Sequence, residues 1–203
     1  DAQESRGLGD VYKRQDKHSL THAIATGIAD GLASKECNHS TEIADLAAQG
    51  FDPRFNEADI ALFQQKASAP ADVAAEHARL ERADALVLVY PIYWWSFPAL
   101  LKGWIDRVFT NGWAYAEADN GKVVKKLQRL QVHLVAVGGA DAGTFTRHGY
   151  AQAMQTQIDH GIFDYCGAKV ATSQVLLASD PGFPEAHLET AQAIGRKLFA
   201  AQP

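Results

Sequence analysis

Apolar residues along the chain follow two kinds of spacing, and each kind predicts a different element. Every fourth residue from Leu20 to Leu32 is apolar, which is the buried stripe of an amphipathic helix. Ser19, directly before this stripe, is suited to be the N-cap. Residues 85–91 (ALVLVYP) instead form an unbroken apolar run, which predicts a parallel strand covered on both faces.

The same two spacings alternate along the remainder of the chain. They predict a turn and a short helix within 51–65, helices at 70–82, 98–110, 150–165 and 184–201, and strands at 40–46, 130–139 and 168–177. Strands that alternate with helices indicate one α/β domain, in which a parallel sheet carries helices on both faces. In such sheets ligands bind beyond the carboxyl ends of the strands.

The composition is that of a globular protein and argues against several classes of partner. The 203 residues are 47% hydrophobic and 21% charged, and their number allows one α/β domain with a sizeable core. The net charge of −5 provides no basic surface, so we expect neither nucleic acid nor an anionic membrane as a partner. No apolar run reaches the ~18 residues that span a bilayer.

Location and redox state follow from the N-terminus and the cysteines. The N-terminus is polar and lacks the apolar segment of a secretory signal. Cys37 and Cys166 are too few for a disulfide framework, and their spacing from histidine does not suit a metal. We therefore expect a cytoplasmic protein with reduced cysteines, and we assign no metal site.

An aromatic segment, PIYWWSF (91–97), follows the predicted strand at the edge where a ligand is expected. Pro91 ends the strand and stiffens the loop. The backbone amides from Ile92 to Trp95 can donate to the edge of a planar heterocycle, and Trp94 and Trp95 offer ring faces for stacking. The alternative is that these aromatic residues only pack the end of the sheet against the next helix.

A glycine-containing segment, VGGADAGTFTRHGY (137–150), follows the next strand at the same edge. Gly138 and Gly139 allow the backbone to approach a ligand closely. The spacing matches neither GxGxxG nor a Walker loop, so no phosphate-binding motif is assigned. His148, which we expect in a loop, has an ordinary pKa of ~6.5 that suits proton transfer. The alternative is a surface histidine without a role.

The segment YPIYWWSFPALLKGWIDRVFTNGWAY (90–115) closely resembles the signature of the flavodoxin-like NAD(P)H:quinone oxidoreductase family. The resemblance covers nearly the whole chain from about Ser19. Further segments similar to the family are 44–59, 72–91, 137–150 and 161–170. The long aromatic motif is far more specific than a lone glycine pattern.

The resemblance implies a fold, a cofactor and a reaction. The fold is a flavodoxin-like three-layer sandwich at 16–203, whose five parallel strands have the order 2-1-3-4-5. The cofactor is a flavin, FAD or FMN, with NAD(P)H as cosubstrate. The reaction is two-electron hydride transfer by a ping-pong mechanism to a quinone or a similar flat electrophile, in a homodimer.

The resemblance also implies roles for individual residues. Pro91, Ile92, Tyr93, Trp94 and Trp95 match the loop at the isoalloxazine edge, and Gly138 and Gly139 match the loop on its other side. Tyr115 matches an aromatic near the nicotinamide and substrate pocket, which in the family is completed across the dimer. His148 matches a histidine proposed to steady charge on the reduced flavin. Ser19 and Thr21 match the loop at the flavin phosphate, where helix amides favour an anion.

Two positions depart from the family. The family's tyrosine in the glycine loop has no clear match here, and Thr144 or Phe145 falls near its place. The expected first strand is replaced by polar residues, since Lys13 and Arg14 follow the single apolar pair of 11–12. Either this segment substitutes for the strand, or unrelated residues stand in its place. We expect residues 1–15 to be disordered or loosely paired, because buried unpaired charges are costly.

Two other functions are compatible with the same residues. The chain can be a flavin-binding regulatory subunit of a potassium efflux transporter, or a flavodoxin-type electron carrier. An electron carrier usually needs a strongly acidic docking face, which a net charge of −5 spread over mixed signs does not favour. Turnover of NAD(P)H with a soluble quinone separates an enzyme from a carrier.

Overall fold

The computed structural model describes residues 19–34, 39–118 and 120–199. Its helices are α1 (Leu20–Leu32), α2 (Glu57–Phe63), α3 (Ala71–Glu81), α4 (Ala99–Val108), α5 (Ala142–His148), α6 (Tyr150–Met154), a π-helix (Gln155–Asp164) that continues α6, and α7 (Glu185–Lys197). Its strands are β1 (Ala85–Pro91), β2 (Tyr115–Glu117), β3 (Val123–Lys125), β4 (Gln131–Gly138) and β5 (Lys169–Leu177). Within the described ranges, no helix has the length and apolar character needed to cross a membrane.

The main sheet consists of three parallel strands in the order β1-β4-β5. Ala85–Pro91 pairs in register with Gln131–Val137, and the β4–β5 ladder has one bulge beside His133. Because the strands are parallel, their carboxyl ends at Pro91, Gly138 and Leu177 lie at one edge. Strands β2 and β3 form a separate antiparallel hairpin.

Each face of the sheet carries its own core, because successive side chains of a strand point to opposite faces. Val87 and Val89 pack toward α1 and α7, whereas Leu88 and Tyr90 pack toward α4 and the π-helix. The continuous apolar run of β1 is explained by these two covered faces. Helices α1 and α7 approach very closely: an added Cβ on Gly31 would overlap the carbonyl oxygen of Gln192.

Most of the predicted elements are confirmed. The predicted strand at 40–46 is wrong, since residues 40–45 form no strand. Asp45 instead caps a turn, and its Oδ1 accepts hydrogen bonds from the amides of Ala47 and Ala48, both at 3.0 Å. Ile43 remains 51% exposed, so this segment has too few buried side chains to form the inner face of a strand.

The α/β architecture is confirmed, but the described residues contain only three consecutive strands of the main sheet. These three strands lie side by side in the order in which they occur along the chain. The last three strands of the predicted order 2-1-3-4-5 have the same arrangement. The predictions for 1–15, including the first strand, lie outside the described residues.

A buried ion pair network connects α4 to α2, to the loop before α2 and to α3. The Arg107 side chain is 2% exposed and its Nε donates to Asp59 Oδ2 at 2.9 Å. Its Nη1 donates to Asp72 Oδ2 at 2.6 Å and to the carbonyl of Asp52 at 2.8 Å. The Arg107 hydrogen bond lowers the pKa of the Asp72 carboxyl. The guanidinium also lies 5.2 Å from the centroid of the Phe51 ring.

Candidate active site

Three segments lie at the carboxyl edge of the sheet. Two of them are the loops that follow β1 and β4. The third is the N-terminus of α1. Gly27 lies beside Ala191, and Gly31, further along α1, lies beside Gln192, further along α7. The two helices therefore run in the same direction. Since α7 follows the carboxyl end of β5, α1 begins at this edge as well. The edge therefore combines two loops with one helix N-terminus, as expected for a ligand site in this class of fold.

The loop after β1 is a tight turn with two tryptophans at its centre. Tyr93 and Ser96 exchange two backbone hydrogen bonds of 3.1 and 3.0 Å. Trp94 and Trp95 both have positive φ, +48° and +61°, as in a type I′ turn. Asn and Gly normally occupy these positions, and a bulky residue there costs of order 1–3 kcal/mol. Such strain is found mainly where it serves function.

The turn leaves two backbone amides for a ligand. The Ile92 amide donates to the carbonyl of Val137 at 2.8 Å, and the Tyr93 amide donates to Ser96. Neither amide can donate to a ligand without giving up its hydrogen bond in the fold. No backbone acceptor within the described ranges pairs with the amides of Trp94 and Trp95. The expected row of four donors is therefore reduced to two.

The two tryptophan side chains differ in their surroundings. The Trp95 ring stacks on Tyr150 with centroids 3.7 Å apart and an interplanar angle of 11°. The edge of Phe145 meets it at 5.3 Å. Trp94 is 93% exposed. The Trp95 side chain therefore packs within the protein, as the alternative interpretation expected, whereas the Trp94 ring is available for stacking on a ligand.

The loop after β4 is shaped by its glycines. Gly138 is buried, and a Cβ there would lie 2.8 Å from Leu177 Cδ2 and 3.4 Å from Ile92 Cδ1. Gly139 is exposed. Asp141 then begins α5, because its Oδ1 accepts from the Thr144 amide at 2.8 Å. Only Gly139 and Ala140 therefore separate the strand from the capping residue.

His148 is the last residue of α5, so the prediction of a loop position is wrong. Gly149 follows with φ +69° and ends the helix. The exposed imidazole lies 5.3 Å from the Tyr150 ring at an angle of 27°. His148, Tyr150 and Trp95 thus form one continuous aromatic stack at the edge.

Tyr150 was missed as a site residue, because the sequence presents it only as the start of a helix. Tyr150→Ala is expected to lower the free energy of unfolding by about 1–2 kcal/mol and to expose Trp95. Tyr150→Phe keeps the stacked ring and is expected to restore both properties. Urea unfolding and iodide quenching measure them in a Trp94→Phe background, which removes the indole that is already exposed. Unchanged quenching in the alanine variant would show that Tyr150 does not hold Trp95.

Tyr115 is not brought to this edge within one chain. Its ring packs on Tyr165 at 5.3 Å, and Tyr165 and Cys166 directly precede the start of β5. Tyr115 therefore lies at the amino-terminal edge, and the eight residues of β4 separate the edges by about 26 Å. Burial raises the pKa of Tyr115, and it raises that of the Cys166 thiol to about 11. This burial agrees with a packing role for Cys166.

Some polar groups at the start of α1 form hydrogen bonds within the described residues, and others do not. Ser19 is buried and caps the helix, accepting from the His22 amide at 3.3 Å. Its Oγ also lies 3.0 Å from His22 Nδ1, and His22 Nε2 lies 2.7 Å from Asp45 Oδ2. The Thr21 hydroxyl is buried and has no partner within the described ranges. That hydroxyl and the first helical amides remain for an anion.

Comparison with known proteins identifies relatives over most of the chain. A family model described as flavodoxin-like fold matches residues 11–198. An NAD(P)H oxidoreductase of Haemophilus influenzae is 32% identical over 73% of this chain and 72% of its own length. A ribosyldihydronicotinamide dehydrogenase [quinone] of Pongo abelii is 28% identical over 84% of this chain and 80% of its own.

A solved structure agrees with these relatives. The NAD(P)H:quinone oxidoreductase from Methanothermobacter marburgensis superimposes with a TM-score of 0.81 and 27% identity. The match covers 90% of this chain and 93% of that one. Together, the family model, the relatives and the superposition agree with the parallel α/β sheet, and the chain belongs to the flavodoxin-like NAD(P)H:quinone oxidoreductase family.

Proposed function

We propose that this oxidoreductase of the NAD(P)H dehydrogenase (quinone) type binds a flavin, FAD or FMN, and reduces quinones or similar flat electrophiles by two electrons. The nicotinamide leaves before the quinone binds in the same place, which is a ping-pong mechanism. The strained turn supports this proposal most directly. It presents, at the carboxyl edge, the exposed Trp94 ring and two amides that have no backbone acceptor in the described part of the chain. The expected cytoplasmic location is part of the proposal.

The residues at this edge fit a flavin. The amides of Trp94 and Trp95 match the acceptor atoms along one edge of a planar heterocycle. The exposed Gly139 has no Cβ to keep such a ring away from the backbone. The Thr21 hydroxyl, which has no partner among the described residues, and the amides at the start of α1 suit the phosphate end. This fit assigns donors to both ends of the cofactor.

When bound, the flavin supplies the hydride chemistry, and the protein supplies position and electrostatics. Tyr150 holds Trp95 and so keeps the turn, with its two amides, in one position. Trp94 presents a ring face on which a flat nicotinamide or quinone can stack. His148, at the C-terminus of α5, holds a proton or positive charge that stabilises negative charge developing nearby. Gly138 and Gly139 let the opposite loop approach.

We include a homodimer in the proposal. Tyr115 lies at the edge opposite His148, so it can reach a reaction site only in a second copy of the chain. At its own edge Tyr115 borders a cavity of about 420 Å³. Phe55, Phe63 and Tyr165 line the same cavity and are 49%, 54% and 44% exposed. Aromatic side chains that are half exposed around one cavity are typical of a surface that another protein covers.

The purified chain tests the proposal. We expect a visible flavin spectrum, release of FAD or FMN identified by mass, and oxidation of NADH or NADPH that depends on a soluble quinone. Light scattering is expected to give twice the 22.0 kDa of one chain. A chain that binds neither FAD nor FMN contradicts the proposal. Bound flavin without NAD(P)H turnover also contradicts it, and favours the transporter subunit or the electron carrier.

A further inference from the structure

The sheet face that α1 and α7 cover changes from apolar to polar toward the amino ends of the strands. Val135, Val137 and Leu176 occupy the carboxyl half and are buried against α1 and α7. In the amino half, His133 takes the place of a valine in the row 133-135-137. A bulge in the β4–β5 ladder lies directly beside it. Bulges often reorient a side chain next to a functional site.

His133 is a buried polar residue whose hydrogen bonding is incomplete. It is 2% exposed, and its Nδ1 lies 2.9 Å from the Thr172 hydroxyl. Its Nε2 is buried without a partner among the residues that the structure describes. An unpaired buried polar atom costs about 1–3 kcal/mol, so such atoms call for an explanation.

A cavity of about 560 Å³ borders His133 between β5 and the end of α7. Its polar lining consists mainly of Gln131, His133, Lys169, Thr172, Gln174 and Lys197. Among the residues that the structure describes, no carboxylate lines it, although the chain has a net charge of −5. Neither lysine has a carboxylate within 4.0 Å in the described part of the chain. The cavity is therefore locally positive and rich in hydrogen-bond donors.

The protonation of His133 fits such a lining. Burial lowers the pKa of His133, so its imidazole is neutral near pH 7. When the Thr172 hydroxyl donates to Nδ1, the ring proton lies on Nε2, and Nε2 becomes a donor. The charged donors that line the cavity are then a lysine on β5 and a lysine on α7, whereas Nε2 itself is buried in the cavity wall.

We propose that this cavity is a binding site for a small oxyanion of the phosphate or carboxylate class, separate from the flavin site. The site lies at the amino ends of the strands, which is the edge opposite Trp94 and His148. Lysine ammonium groups supply the attraction, the amide and hydroxyl side chains supply the geometry, and His133 lies in the wall of the cavity, where it reports on binding. The inference does not depend on the proposed function, because none of these residues belongs to the carboxyl edge.

Histidine side-chain NMR of the full-length protein, saturated with flavin if it binds one, tests the site. We expect the His133 ring to carry its proton on Nε2. Inorganic phosphate and citrate, added against sodium chloride at equal ionic strength, are expected to shift the ring signals saturably, with a millimolar or lower Kd. The probe that binds more tightly identifies the phosphate or the carboxylate class. The His133 signal is assigned by its loss in His133→Gln, or by its displacement in Thr172→Val if that variant fails to fold.

A matched pair of variants separates this site from general charge effects. Lys169→Gln/Lys197→Gln is expected to weaken binding at least tenfold. Lys66→Gln/Lys122→Gln removes the same charge elsewhere and is expected to leave the Kd within twofold. Equal weakening in both pairs, or no saturable shift with either anion, overturns the proposal. Loss of flavin binding or of quinone turnover has no bearing on this readout, so the two proposals fail independently.

Discussion

Arg107→Leu is expected to lower the free energy of unfolding by about 3–5 kcal/mol. The substitution leaves the Asp59 carboxylate, 1% exposed, without its cation. It also removes the hydrogen bonds of Arg107 to Asp72 and to the carbonyl of Asp52. A buried charge that loses its partner retains its desolvation cost, and this cost dominates the result. Urea unfolding at neutral pH measures the change.

The same helix provides the control. Lys102 pairs with Asp106 at 2.6 Å, and both side chains are more than 40% exposed. Lys102→Leu is therefore expected to change the stability by less than about 1 kcal/mol. Equal losses in the two variants would mean that the Arg107 network contributes no more than a surface ion pair. Arg107→Leu/Asp59→Leu is expected to recover part of the loss, because it removes the unpaired carboxylate as well.

His148→Gln is expected to slow reduction of the bound flavin by NAD(P)H about 10- to 10³-fold. Glutamine can still donate a hydrogen bond, but it can neither accept a proton nor carry a positive charge beside the reduced flavin. The imidazole is exposed, so stability and flavin content are expected to stay nearly unchanged. Stopped-flow absorbance of the reductive half-reaction measures the rate.

A second histidine serves as the reference for that experiment. His160 is exposed on the π-helix and lies 3.1 Å from Asp164, away from the strand carboxyl ends. His160→Gln is expected to retain the normal rate. A normal rate in His148→Gln as well would return His148 to the role of a surface histidine.

The strand and the helix that flank the aromatic turn could be predicted from the sequence because each has a long apolar pattern. The run at 85–91 and the helix after Pro98 have several buried positions each, and both appear as predicted. The strand predicted at 40–46 contains only two large apolar residues, Ile43 and Leu46, and the prediction is wrong. The hairpin of β2 and β3 was missed, although Asn120-Gly121 between them is a common turn signal.

Other parts of the site depend on contacts that no local pattern contains. Tyr150 stacks on Trp95 across 55 positions of sequence, which spacing rules do not detect. The short helix α5 was missed, yet Asp141 and Gly149 are its capping residues and were visible in the sequence. The continuous helical segment of α6 and the π-helix buries Met154, Ile158 and Phe163, at intervals of four and five, and this pattern resembles an ordinary helix.

The turn at Trp94 and Trp95 has an evolutionary consequence. Glycine adopts positive φ without a steric penalty, so selection for stability alone would favour glycine at Trp94, whose ring is 93% exposed, but not at Trp95, whose ring stacks on Tyr150. Tryptophan at position 94 combines a strained backbone with a large apolar ring in water. Natural sequences keep such costs where activity depends on them. Directed evolution of this chain toward heat resistance, without a screen for activity, is therefore expected to replace Trp94 and to lose the exposed stacking face of the site.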